Sequence, residues 1–299
     1  MPLDELRSLI DCHARADMTT PIEGVLIARH DVSELESSMT SSVMALIAQG
    51  MKRLALGDSV YEYGPGEYLV SSLDLPVTGQ FIDASPDCPA LGFGMVLHPA
   101  SIAELLLQAG ASDLRDGRGS PPSGMTVSTA PAALLDAVTR LLRLLDSPRD
   151  IPVLAPLIRR EILWLLIVGE QGAAVRQLGL ADSNLSHIAR AVRWIRDHYA
   201  RAFRVEDVAA ICGMSVSAFY RNFQAATAMS PIQFQKQIRL QEARLMLAAQ
   251  HGDVAEIGYQ VGYDSPSQFS REYRRQFGAP PSKDAIRLRG TPAMAAAVF

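Results

Sequence analysis

The feature that most constrains this chain is a repeat inside its last third. Shifted by about 50 residues, SPSQFSREY (265 to 273) falls on SVSAFYRNF (215 to 223), so that Ser215 matches Ser265, Ser217 matches Ser267, Phe219 matches Phe269, Arg221 matches Arg271 and Phe223 matches Tyr273. Upstream, VEDVAAICGMS (205 to 215) parallels DVAEIGYQVGYDS (253 to 265). Each segment carries a small residue four before a glycine, Ala209 before Gly213 and Gly258 before Gly262, and the second turn is one residue longer. A short helix, a glycine turn and a second helix, made twice, is a pair of helix-turn-helix units.

The chemistry of each position agrees. A glycine supplies the positive φ that a tight turn after a helix requires. Ser215 and Ser265 are suited to cap the helix that follows. In helices beginning there, near 215–226 and 265–277, Phe219 and Phe223, or Phe269 and Tyr273, recur at i and i+4 and form the buried stripe. Ser217, Tyr220, Arg221, Ser267, Gln268 and Arg271 then occupy other faces, free to meet a partner.

Between the units lies SPIQFQKQIRLQEARLMLAA (230 to 249), with Ser230 placed as N-cap and Pro231 at the first helical position. A helix there is about 27 Å long at about 1.5 Å per residue. Such a spacer would let two recognition helices enter major-groove segments about 34 Å apart on one face of DNA. Charge points the same way. From Ser183 onward there are 15 Lys and Arg against 9 Asp and Glu, or +6, which leaves −10 for residues 1 to 182 out of a total of −4. A basic third on an acidic remainder suits a nucleic-acid partner for that third alone.

The first part of the chain has a different rhythm. From Ile22 to about Thr129, IEGVLIAR, SVMALIAQG, KRLALGDSVYEYG, EYLVSSLDLP, VTGQFID and ALGFGMVL are separated by Gly, Pro, Asp and Ser turns, which predicts short strands in a sandwich or small barrel. His98-Pro99 opens a helix through Gln108, and 113 to 124 reads as loop. Pro131 starts the helix AALLDAVTRLLRLLDS, and VLAPLIRREILWLLIVGEQG follows. Both have broad apolar faces, and burial against the strands and a dimer seam along the first helix both remain open. Apolar density falls across 173–183, which predicts a linker between domains at 1–172 and 184–290.

Residues 184 to 287, including the terminal GYDSPSQFSREYRRQFGAPPS, resemble the DNA-binding domain of the AraC/XylS family of bacterial transcription regulators. The preceding residues resemble, more weakly, the cupin-like N-terminal domain of a subset of that family, some of whose members sense reactive aldehydes. The fold this implies is an α+β multidomain chain: an N-terminal cupin-like β-barrel with accessory helices, then an all-α domain of two helix-turn-helix units joined by a long helix. The function it implies is a sequence-specific regulator controlled by a small-molecule effector, acting as a homodimer on double-stranded DNA, with RNA polymerase as a further partner. Carried over by position, Ser217, Tyr220 and Arg221 and then Ser267, Gln268 and Arg271 contact bases. Arginine suits guanine and glutamine suits adenine; for Arg221, helix packing or a phosphate contact stands as the alternative. Arg274, Arg275 and Lys236 are placed on phosphates. Gln224 stands where the family often has a lysine, which puts one phosphate contact in doubt.

The rival readings are a cupin-type enzyme, metal-dependent or not, and a protein-interaction module. YEYGPGEYLVSS has tyrosines and glutamates where a cupin metal site would need histidines, and His13, His30 and His98 are the only histidines before the linker, so no metal, cofactor or catalytic group is expected. Gly92-x-Gly94 lacks the rest of a phosphate-binding loop and reads as structural. Effector-pocket candidates are Tyr61, Glu62, Tyr63, Glu67 and Tyr68, half of which must point outward on a strand. Cys12, Cys88 and Cys212 show no disulfide or zinc spacing, and with no run of 18 apolar residues and no signal-peptide pattern the expected location is the cytoplasm.

Overall fold

The computed structural model describes residues 2–109, 123–180, 183–249 and 253–290. Most of the loop expected at 113 to 124, and the tail after Gly290, lie outside the described residues. The chain divides into two compact units that part between His187 and Ile188, except that Ala225–Ala228 group with the first.

The first unit opens with α1 (Pro2–His13). Eight strands follow: β1 (Val25–His30), β2 (Glu36–Met39), β3 (Val43–Gln49), β4 (Met51–Leu56), β5 (Ser59–Tyr63), β6 (Glu67–Ser71), β7 (Pro76–Ile82) and β8 (Ala90–Val96). Then come α2 (Pro99–Ala109), β9 (Met125–Thr129), α3 (Ala132–Arg143), α4 (Ile151–Val168) and α5 (Gly172–Gly179). The strands form two antiparallel ladders, ordered β1-β8-β3-β6-β9 and β2-β7-β4-β5, so the barrel takes the form of two sheets and is not closed by hydrogen bonds among the described residues.

Strand alternation sorts the side chains of the larger sheet. Val25, Ile27, Met44, Leu46, Tyr68, Val70, Leu91 and Phe93 share one apolar core with Leu6, Ile10, Ile102, Leu134, Leu141 and Ile162 of the helices. The alternate residues, such as Ala28, Ala45 and Ile47, face the smaller sheet. Its inward residues include Leu54, Leu56 and Val77, all buried.

Several expectations change here. The apolar face of α3 packs within the unit, with Leu134, Ala137, Val138, Leu141 and Leu142 buried; α4 leaves Val153, Leu154, Leu157, Trp164 and Val168 exposed. The segment expected as a linker contains α5, which buries Ala174 and Val175; eight residues with two apolar anchors are enough for a packed helix but too few to raise apolar density. Of the pocket candidates, Glu62 points outward and pairs with Arg53, and Tyr68 lies in the core beneath the helices. Glu67 uses Oε2 to accept from the Gly64 amide at 2.8 Å. Tyr61 and Tyr63 share the inward face of the smaller sheet.

The second unit is helical, built from α6 (Asn184–Asp197) after its first turn, α7 (Val205–Ile211), α8 (Val216–Thr227) up to Gln224, α9 (Pro231–Ala248), α10 (Val254–Gln260), α11 (Pro266–Phe277) and α12 (Pro281–Gly290). No described helix is long and apolar enough to cross a membrane.

Candidate nucleic-acid interface

The repeat read in the sequence is a repeat in the backbone. Gly213 and Gly262 both have positive φ, 66° and 92°. In each turn the residue after the glycine donates its amide to the small residue five before it: Met214 N to Ala209 O, and Tyr263 N to Gly258 O, both at 3.0 Å. The small residue is needed because the aromatic stripe presses there. A Cβ added at Gly258 would come 3.1 Å from the Phe269 ring. Asp264 is the extra residue of the second turn, after which the two units come back into step.

Capping follows. Ser215 Oγ accepts from Ala218 N at 3.3 Å, and Ser265 Oγ accepts from Gln268 N at 3.4 Å. Phe219 and Phe223 are fully buried with ring centroids 5.3 Å apart, and Phe223 meets Phe234 of α9 edge-on at 5.5 Å. Phe269 and Tyr273 repeat the pair at 5.6 Å. With that stripe inward, Ser217, Tyr220, Arg221 and Gln224 of α8 are exposed, at helical spacings of three and four. So are Ser267, Gln268, Arg271, Arg274 and Arg275 of α11. None of these four arginines forms an ion pair among the described residues, which leaves their guanidinium forks available to an anionic partner.

The joining helix is bound to what surrounds it. Ser230 and Gln233 form a reciprocal capping box at its start. Gln235 Nε2 donates to the carbonyls of Tyr199 and Arg201 at 2.9 and 2.6 Å, and Arg239 donates to Tyr199 O at 2.7 Å and Gly262 O at 2.8 Å. Burial lowers the Arg239 pKa, against the pull of Tyr263, Asp264 and Glu272. At the far end Asp284 is buried and accepts from Tyr273 Oη (2.8 Å), Arg244 Nε (3.0 Å) and Arg287 Nη2 (2.7 Å), tying α9, α11 and α12 together.

Lys236 stands apart from the other residues placed on DNA. Its Nζ lies 3.0 Å from Glu272 Oε1, whose other oxygen accepts from Tyr263 Oη at 2.9 Å. Gln268 Nε2 also reaches Glu272, at 3.4 Å. The Arg244–Asp284 and Lys236–Glu272 contacts carry no local sequence signal, because their partners lie 40 and 36 residues apart in the chain. Among the described residues no group of His, Cys, Asp and Glu is arranged to hold a metal.

Comparison with known proteins falls on both units. The family described as the AraC-type transcriptional regulator N-terminus matches residues 21–174, and a helix-turn-helix domain family matches residues 208–285. The HTH-type transcriptional activator RhaS of Klebsiella pneumoniae (strain 342) is 26% identical over 188 residues, 60% of this chain and 65% of that one. The HTH-type transcriptional regulator ExsA of Pseudomonas aeruginosa is 28% identical over 163 residues, 54% of this chain and 58% of that one. The chain thus spans less than two thirds of the length of these relatives. Among solved structures, unsaturated fatty acid bound wild-type ToxT from Vibrio cholerae strain SCE256 shares the fold with a TM-score of 0.56 at 10% identity, over 92% of this chain and 100% of that one.

Proposed function

This chain belongs to the AraC-type transcriptional regulators, and on that premise we propose that it is a sequence-specific DNA-binding regulator whose N-terminal unit answers to a small-molecule effector. One observation carries the DNA half of this reading. Two helices of matching construction, α8 and α11, each turn an arginine at the same repeat position, Arg221 and Arg271, away from a buried aromatic pair. Ser217, Tyr220, Ser267 and Gln268 share those faces and are assigned to base edges with the two arginines. Arg274 and Arg275, one turn further along α11, are assigned to phosphates.

Residues 1–172 are assigned to effector binding and dimerisation and 184–290 to DNA. The similarity to RhaS, ExsA and ToxT, all named as regulators or solved as one fold with this chain, supports regulation over catalysis. A homodimer would draw on the apolar residues that α4 leaves outside, and RNA polymerase is a further partner in this reading. Effector binding would act by shifting the population of states in which two DNA-binding units are presented to one operator.

The test is selection of bound fragments from random genomic DNA with the intact protein and with an Arg221→Ala, Arg271→Ala double variant, across a salt series. The expected result is a recurring site with two elements about one helical turn apart, lost in the double variant. Equal recovery by both proteins would refute the assignment of bases to α8 and α11.

A further inference from the structure

Two helices of the second unit open on the same four-residue pattern and use it differently. α9 begins at Ser230-Pro231-Ile232-Gln233 and α11 at Ser265-Pro266-Ser267-Gln268, each with a serine cap, proline at the first helical position and glutamine at the third. In α9 both halves of the capping box form: Gln233 N donates to Ser230 Oγ at 3.3 Å, and Gln233 Oε1 turns back to accept from Ser230 N at 2.9 Å. In α11 only the serine half is made, with Gln268 N on Ser265 Oγ at 3.4 Å. The Gln268 side chain runs the other way, and its Nε2 donates to Glu272 Oε1, one turn ahead, at 3.4 Å.

What draws it forward is a carboxylate that is itself held in place. The Glu272 side chain is 11% exposed and accepts from Lys236 Nζ of α9 at 3.0 Å through the same oxygen, and from Tyr263 Oη at 2.9 Å through the other. Gln268 is the most exposed of its three donors. Desolvation raises the Glu272 pKa, but the hydrogen bonds from Lys236, Tyr263 and Gln268 outweigh it, so the group is ionised at neutral pH. An ionised carboxylate accepts hydrogen bonds and cannot donate one, so only the NH2 end of the Gln268 amide can face it. One N–H goes to Glu272. The amide oxygen and the second N–H, which lies beside that oxygen, are left on the opposite edge. An acceptor next to a donor complements adenine N6–H and N7 in the major groove, whereas an amide turned end for end would offer two donors, which suit guanine O6 and N7.

We infer that Glu272 is a specificity-determining positioning residue: by holding the Gln268 amide in one orientation it makes α11 select adenine over guanine at one base pair of the operator. The inference rests on the assignment of Gln268 to a base edge above. The first helix-turn-helix has no such device. Shifted by the repeat, Ala218 stands in place of Gln268 and Asn222 in place of Glu272, and Asn222 Nδ2 donates to Met214 Sδ at 3.9 Å. Adenine selection by this route therefore belongs to the α11 half of the operator alone.

The test is selection from a random-sequence duplex library with the full chain in its native form and as Gln268→Ala, Glu272→Gln and Tyr263→Phe, each checked by a melting curve. The base pair whose preference is lost in Gln268→Ala is the one Gln268 reads. There the native chain is expected to favour adenine over guanine about tenfold or more, and Glu272→Gln, whose own amide can turn round, about threefold or less. Preferences at every other position should stay the same in Glu272→Gln, which a merely structural loss, weakening all sequences alike, would not produce. Tyr263→Phe keeps the ring in the core and removes one donor that holds Glu272, so it is expected to relax the same position in the same direction. Full adenine preference in a folded Glu272→Gln chain would overturn the inference, as would a Gln268→Ala profile identical to the native one. If Glu272→Gln does not fold, an unchanged preference in Tyr263→Phe overturns it. Recovery of no preferred site by the native chain would overturn the DNA-binding reading itself, and the inference with it.

Discussion

Arg239, in the middle of the joining helix, donates through Nη1 to the carbonyl oxygen of Gly262 at 2.8 Å. The long helix therefore does more than space two units. It grips the tight turn of the second one through its backbone, and through Tyr199 O it holds the turn that follows α6 with the same guanidinium.

That grip makes the two repeat glycines unequal. Both have positive φ, which costs a side chain about 1 to 2 kcal/mol. Around Gly213 nothing lies within 4 Å of an added Cβ, but at Gly262 the Cβ would fall 2.1 Å from Ala200 O and 2.9 Å from Arg239 Cζ. Gly213→Ala is expected to destabilise the helical unit by about 1 to 2 kcal/mol and Gly262→Ala by about 3 kcal/mol or more, since overpacking adds to the dihedral cost. Urea denaturation followed by helical circular dichroism measures both; equal losses would contradict the asymmetry.

How far the sequence leads depends on whether a feature is local. The glycine turns, the serine caps and the aromatic pairs lie within a dozen residues of one another, and all stand where their spacing puts them. β2 (ESSM) has no apolar alternation and α1 was hidden in a mixed, acidic start, so neither was legible. Lys52 in KRLAL reads as a solvent-facing charge. Only the register with Phe81 and Tyr63, a long-range property, turns it inward. Lys236 is likewise assigned to a phosphate by its position, while its partner Glu272 comes from 36 residues away.

Lys236 and the α11 arginines should consequently differ in a salt titration of operator binding. Arg274→Ala and Arg275→Ala are each expected to lower the slope of log affinity against log salt by about one phosphate contact. Lys236→Ala is expected to leave the slope nearly unchanged and to cost about 0.5 to 1 kcal/mol of stability, because what it loses is a partly exposed ion pair. A full unit of slope lost in Lys236→Ala would place it on the DNA after all.

Glu272 gives this cluster a pH dependence. Desolvation raises its pKa, but hydrogen bonds from Lys236, Tyr263 and Gln268 outweigh that and leave it below the ordinary glutamate value. A depressed acid contributes stability that is present above its unfolded pKa of about 4.3 and lost as pH falls through the lower folded value. The stability difference between the native chain and Glu272→Gln should therefore be full at neutral pH and shrink steadily below about pH 4.5. A gap that stays constant down to pH 3 would show that the charge on Glu272 does not matter.

Asp284 is the other buried acid of this unit and carries more. It is 1% exposed and surrounded by three donors, so its removal leaves Tyr273 Oη and the half-buried Arg244 without their anion. Uncompensated charge of this kind costs about 3 to 5 kcal/mol, whereas Tyr273→Phe, which takes away one hydrogen bond and leaves the ion pairs, should cost about 1 to 2 kcal/mol. Because Tyr273 also anchors the buried face of α11, Asp284→Ala is expected to abolish operator binding by unfolding the helical unit, with loss of circular dichroism at the same temperature. Arg271→Ala should abolish specific binding with the melting curve unchanged. If Asp284→Ala instead kept a native melting curve and lost only affinity, the acid would be acting on the recognition face itself and not through the packing of α9, α11 and α12.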